Sequence, residues 1–200
     1  MLKVKQQKYN SIWVSADSQE ELTITFMRFS EFYESPNPNF KNNVFTIGQL
    51  KSWYSLTYGA DTYHKDWTGF NIPSSVLIPF KQGLFDPLIE EERSLLDLFK
   101  YRNDNFYIIG AQNDSVLRHE LAHALYASNI KYRNSIDAYI LKHKSGLKKA
   151  SKYIIDKGYC KEVLNDELQA YITDNEDEYI IKNTSENIIQ HINTIYQRYR

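Results

Sequence analysis

The distribution of proline is the strongest constraint that this sequence places on its fold. All five prolines lie in residues 1–112, and residues 113–200 contain none. Because proline interrupts helices, the second part can form successive helices, whereas the first part, which also holds all three tryptophans, is divided into shorter elements. The sequence therefore predicts an α+β fold in one domain over 1–200, with a short sheet in 1–112 and helices in 113–200 that share its core.

Local patterns predict where the individual elements lie. Residues 22–29 alternate and are rich in β-branched side chains, which favours a strand, although Ser18 and Glu21 would also suit the start of a helix. In the first part we further predict a helix from Thr46 to Tyr58, a loop over 66–75, a helix over 88–99 and a strand over 105–110. In the second part we predict helices over 114–127, 135–143, 145–157, 160–174 and 185–199, the third of them ended by Gly158.

Composition excludes several classes of function. Lysine and arginine number 24 against 25 aspartates and glutamates, so there is no basic excess of the kind that nucleic acids select. No run of apolar residues is long enough to span a membrane. The single cysteine, Cys160, suits a reducing compartment, and the start of the chain lacks the apolar run of a signal peptide. We therefore expect a cytoplasmic protein, and export by a route that needs no signal peptide stays open as the alternative.

One short motif indicates chemistry. His119, Glu120 and His123 form the pattern His-Glu-x-x-His in a segment whose other residues are apolar except for Arg118. Four residues advance a helix by about 400°, so the two histidines lie one above the other on one face, where they can bind one Zn²⁺. Glu120 points about 80° away from the mean direction of that pair. It is therefore poorly placed as a third ligand and well placed to act as a general base.

The segment 116–125 resembles the extended motif of the zincin metallopeptidases. The resemblance implies a zincin-like fold, one zinc ion per chain and a peptide or protein substrate. In zincins an extended substrate lies along an edge strand, and the strand over 105–110 resembles that edge. The metzincin subclass continues as HExxHxxGxxH, but Tyr126 and Asn129 stand at the two extra positions here, so that subclass is excluded.

The resemblance also indicates a third zinc ligand from a later helix. Gluzincins use a glutamate, and the segment 164–171 is similar to their ligand helix, with Glu167 standing 44 residues after His123. Asp166 and His143 remain alternatives for the third ligand. Tyr171 stands where thermolysin-like proteins commonly have an aspartate, and we expect it to hydrogen-bond in the outer layer of the site. Tyr126 is a candidate for stabilising an oxyanion.

The sequence thus predicts a gluzincin-type metallopeptidase. Zinc would be held by His119, His123 and Glu167, and Glu120 would activate a zinc-bound water for attack on a peptide bond. Two alternatives remain open, namely a binding module in which the metal is only structural and a zinc hydrolase of a non-peptide amide. The oligomeric state and the specificity do not follow from the sequence.

Overall fold

A computed structural model describes residues 1–6, 10–60, 62–157, 159 and 161–200. The chain has an α+β fold, as predicted, and divides into two compact units, Met1–Leu117 and Arg118–Arg200. The boundary between the two units falls within a helix, after residue 117, whereas the two parts distinguished in the sequence meet after residue 112. Among the described residues, no helix combines the length and the apolar character needed to cross a membrane.

The described residues of the first unit form a four-stranded mixed sheet and five complete α-helices. The strands are β1 (Lys3–Gln6), β2 (Ser11–Ser15), β3 (Gly69–Pro73) and β4 (Tyr107–Ala111). The helices are α1 (Gln19–Glu34), α2 (Ile47–Tyr58), α3 (Tyr63–Asp66), α4 (Leu77–Lys81) and α5 (Glu90–Leu98), with a 3₁₀ turn over Ser74–Val76. The predicted helices at α2 and α5 and the strand at β4 are confirmed, whereas the predicted loop over 66–75 contains β3.

The predicted strand over 22–29 is wrong, because this segment lies within α1. The hydroxyl of Ser18 accepts a hydrogen bond from the backbone N–H of Glu21 and so caps the helix. Such a cap stabilises a helix by about 1 kcal/mol, which offsets part of the summed cost of the β-branched residues, a few tenths of a kcal/mol each. The alternation was misleading because α1 is buried on most of its surface, including at Thr23 and Thr25.

The expectation that 105–110 forms an edge strand is also wrong. The sheet has the order β1-β2-β4-β3, so β4 is an interior strand. It pairs in parallel with β2, where Ile12 lies opposite Ile108, and antiparallel with β3. Both of its backbone edges are occupied, and no substrate strand can add to it. The almost continuously buried run Ile108–Ala111 is typical of an interior strand.

Gly110 brings the sheet close to α1. A Cβ atom at this position would lie 2.8 Å from Cε2 of Phe26, so only glycine fits without displacing the ring. Phe26 in turn stacks on Phe70 of β3, with ring centroids 5.3 Å apart. This contact fixes α1 on the sheet of the first unit.

The second unit is helical. It contains most of α6 (Asp114–Ser128), followed by α7 (Ile130–Lys142), α8 (Lys148–Asp156), α9 (Leu164–Asp174), α10 (Glu178–Lys182) and α11 (Glu186–Tyr199). The five predicted helices are present, α9 begins later than expected, and α10 was not predicted. Gly158 and Cys160, at which one helix was predicted to end and the next to begin, lie outside the described residues.

Helix α9 is the central element of this unit, since it packs against α7, α8 and α11. Its buried residues include Glu167, Leu168 and Gln169. The side-chain oxygen of Gln169 accepts a hydrogen bond of 2.6 Å from the hydroxyl of the buried Tyr132 on α7. The position of α9 therefore carries polar side chains, Glu167 among them, into the interior of the unit.

Candidate metal centre

Helix α6 brings the two histidines of the motif together. The helix is capped by Asn113, whose Oδ1 accepts hydrogen bonds from the backbone N–H groups of Ser115 and Val116. The four-residue spacing then stacks His119 and His123 with ring centroids 4.8 Å apart. Their Nε2 atoms face each other at 3.1 Å.

The other nitrogen of each ring is bonded to a carboxylate. Nδ1 of His119 lies 2.6 Å from Oδ2 of Asp174, and Nδ1 of His123 lies 2.8 Å from Oδ1 of Asp166. An ionised carboxylate only accepts hydrogen bonds, so each Nδ1 carries a proton, and a ring that is neutral then has its lone pair on Nε2. Two lone pairs that face each other at 3.1 Å repel unless a cation or an added proton lies between them. The geometry of the pair therefore requires positive charge at this point.

Glu167 completes a group of three possible ligands. Its Oε1 lies 3.8 Å from Nε2 of His123, and one ligand atom from each of His119, His123 and Glu167 lies within 4.8 Å of the others. Glu167 is only 8% exposed, and its Oε2 accepts no hydrogen bond from the described residues. Burying a carboxylate oxygen without a partner costs several kcal/mol unless a cation compensates. The three residues, which all lie in the unit Arg118–Arg200, fit a metal ion with nitrogen and oxygen ligands.

The charges around the group are strongly coupled. Burial alone would lower the pKa of His123, but the carboxylates of Asp166 and Glu167 outweigh burial and hold that pKa well above its ordinary value. Burial raises the pKa of Glu167, against the opposing effect of the two histidines. An excess of carboxylates thus surrounds the two rings, which again favours a cation between them.

Glu120 is buried next to the same group. It is 8% exposed, and burial raises its pKa while the charges of His119 and His123 oppose that rise. It does not belong to the set of three possible ligands. A buried carboxylate adjacent to a metal site and separate from its ligands can take up and release a proton.

The outer layer of the site differs from the sequence prediction. Tyr171 was expected to hydrogen-bond there, but Asp174 binds His119, while the ring of Tyr171 packs edge-on against the His119 imidazole at 4.8 Å. Asp174 stands seven residues after Glu167, which is two helical turns and therefore the same face of α9. That spacing was a readable signal that the sequence reasoning missed. Asp166, considered as a third ligand, instead binds Nδ1 of His123, the nitrogen that faces away from the group.

Two other candidates are engaged elsewhere. The hydroxyl of Tyr126 donates a hydrogen bond of 2.6 Å to Oδ1 of Asp137, so it is not available to an oxyanion. His143 stands at the end of α7, and its ring packs against Tyr139, which also stacks on His191. His143 is not part of the group of possible ligands found among the described residues.

Comparisons of this chain with protein-family models, with curated proteins and with solved structures find no match.

Proposed function

We propose that this chain is a zinc-dependent hydrolase that cleaves peptide bonds, with His119, His123 and Glu167 as the ligands of one zinc ion. The observation that carries the proposal is the approach of two imidazole Nε2 atoms to each other beside a buried carboxylate whose second oxygen has no hydrogen-bond partner among the described residues. Zinc binds such nitrogen and oxygen donors, and its catalytic sites use three protein ligands. Structural zinc sites use four, so the group of three found among the described residues favours catalysis over a structural role.

The proposed reaction divides the work between the metal and Glu120. When bound, zinc lowers the pKa of a water molecule toward about 7 and polarises carbonyl groups. Glu120 accepts the proton that the attacking water loses and returns it to the leaving amine as the peptide bond breaks. The carboxylates of Asp166 and Asp174 keep the two imidazoles in the tautomer that directs Nε2 toward the metal.

Metal content and activity test this proposal separately. The zinc content of the purified protein can be measured by elemental mass spectrometry. We expect about one zinc ion per chain in the wild type and none in the double variant His119→Ala/His123→Ala. Glu120→Gln should keep its zinc, and its rate of hydrolysis of a fluorescent casein substrate should fall by at least ~10²-fold. The matched control is Glu178→Gln, which changes an exposed glutamate of the same unit and should keep full activity.

Three results would contradict the proposal in different ways. Full zinc occupancy in the double histidine variant would exclude this metal site. Wild-type turnover in Glu120→Gln would exclude Glu120 as the base. Bound zinc without hydrolysis of any peptide, combined with hydrolysis of small amides, would assign the protein to the amidases.

A further inference from the structure

Two buried side chains link helix α7 to the carboxylate that binds His123. Nε2 of Gln169 lies 3.0 Å from Oδ1 of Asp166, and the same oxygen lies 2.8 Å from Nδ1 of His123. The amide oxygen of Gln169 lies 2.6 Å from the hydroxyl oxygen of Tyr132 on α7. Gln169 and Tyr132 have no exposed surface, so the bond between them is shielded from water.

The carboxylate of Asp166 fixes the direction of each hydrogen bond in this series. An ionised carboxylate only accepts, so the amide of Gln169 must present its NH₂ group to Asp166. The amide oxygen then faces Tyr132, and because that oxygen also only accepts, the hydroxyl of Tyr132 is the donor. Both donors therefore point toward Asp166, and the bond from Tyr132 polarises the amide and strengthens the bond that follows it.

Asp166 depends on such an anchor more than its counterpart Asp174 does. The side chain of Asp166 is 25% exposed, whereas that of Asp174 is 8% exposed. Asp174 is also held by the backbone N–H of Glu176, which lies 3.0 Å from its Oδ1. The anchor of Asp166 is Gln169, three residues later on the same face of α9. Without that amide, the carboxylate is freer to turn toward water and away from Nδ1 of His123.

We infer that Gln169 and Tyr132 are positioning residues that hold Asp166 against His123 and so keep Nε2 of this histidine directed at the metal. The packing of α7 against α9, which brings Tyr132 to Gln169, thereby contributes to the geometry of a ligand on α6. This inference rests on the proposed function, because it requires a zinc ion at the candidate metal centre.

Exchange of the imidazole protons with water, followed by nitrogen-15 NMR of the zinc-loaded protein, tests the inference without a substrate. In Gln169→Met, we expect the Nδ1 proton of His123 to exchange about fivefold faster, which is the usual value of one hydrogen bond. The Nδ1 proton of His119, which is bonded to Asp174, is the internal reference and should keep its rate. Tyr132→Phe preserves the ring and should accelerate the exchange at His123 by about twofold.

An exposed glutamine provides the matched control. Nε2 of Gln190 on α11 lies 2.9 Å from Oε1 of Glu186, so Gln190→Met also removes a bond from an amide to a carboxylate. This variant should leave the exchange of both imidazole protons unchanged. Zinc affinity gives a second measurement, which Gln169→Met should weaken by about threefold. In an Asp166→Ala background, Gln169→Met should cause no further loss, because the carboxylate that it positions is gone.

Three results would overturn the inference and leave the proposed metal site intact. Equal acceleration at His119 and His123 would mean that Gln169→Met loosens the whole unit. An unchanged rate at His123 in folded Gln169→Met would show that Asp166 needs no anchor, and further loss of zinc affinity in the Asp166→Ala background would show that Gln169 acts elsewhere. Absence of bound zinc in the wild-type protein would instead overturn the proposed function, and the inference with it. Tyr132→Phe provides the same test should Gln169→Met fail to fold.

Discussion

Removal of Asp174 should weaken zinc binding although Asp174 does not belong to the ligand group. Its Oδ2 lies 2.6 Å from Nδ1 of His119, and its side chain is only 8% exposed. Loss of such a partner leaves the imidazole free to rotate and to change its tautomer, at a typical cost of 10- to 100-fold in metal affinity. This corresponds to about 1.4–2.8 kcal/mol.

Two further variants sharpen this prediction. Asp174→Asn keeps an oxygen that can accept from Nδ1, so it should lose less affinity than Asp174→Ala. Asp166→Ala removes the equivalent partner of His123, but that carboxylate is 25% exposed, and water can replace part of its effect, so we expect a smaller loss. This replaces the alternative from the sequence that Asp166 is itself the third ligand.

Zinc affinity would be measured by competition with a chromophoric chelator at fixed pH. Asp156→Ala is the control, because this exposed aspartate of α8 pairs only with Lys152 on the surface among the contacts described. Circular dichroism would verify that each variant is folded, since Asp174 also accepts a hydrogen bond from the backbone N–H of Glu176. If Asp174→Ala bound zinc within twofold of wild type, the argument from the histidine–carboxylate pairs would be refuted.

Three predictions concern the stability of the first unit, measured by urea denaturation. Arg28→Met leaves the fully buried Glu92 without its cation and should cost about 3–5 kcal/mol, whereas a loss below about 1 kcal/mol would contradict the role of this ion pair. Burial raises the pKa of Glu31 above its ordinary value of 4.5. The folded protein therefore favours the protonated carboxyl group. The stability that this group contributes is complete below pH 4.5 and declines as the pH rises through the raised pKa. Glu31→Gln should therefore gain stability relative to wild type between pH 4.5 and 7, and a difference that is independent of pH would exclude this assignment. Gly110→Ala should cost about 1–3 kcal/mol, because the added methyl group collides with Phe26, and an unchanged midpoint would show that the ring can move.

The features of the site that depend on local spacing could be predicted from the sequence. The interval between His119 and His123 fixes their common face on any helix, and Asn113 marks where that helix begins. Glu167 was predicted through the resemblance of its surroundings, and the structure brings it to the two histidines. In each case the prediction depends on residues that are close together in the sequence.

The features that depend on tertiary contacts could not be predicted in the same way. The alternation over 22–29 resembles a strand until the packing around α1 is known, since a helix that is buried on most sides has no polar face to reveal its period. The interior position of β4 depends on its pairing with β2 and β3, and both pairings are remote in sequence. The spacing of Asp174 from Glu167 places both on one face of α9, but the bond of Asp174 to His119 itself depends on α9 lying beside that histidine.

The dependence of zinc affinity on Glu167 tests the central claim most directly. Glu167→Ala removes the carboxylate whose Oε2 has no hydrogen-bond partner in the part of the chain that the structure describes, and His143→Ala removes the histidine that the sequence left as an alternative. We predict that wild type binds about one zinc ion per chain, that Glu167→Ala loses at least ~10²-fold in affinity, and that His143→Ala stays within about twofold of wild type. Wild-type affinity in Glu167→Ala, together with loss of zinc in His143→Ala, would contradict the account and assign the third ligand to the histidine.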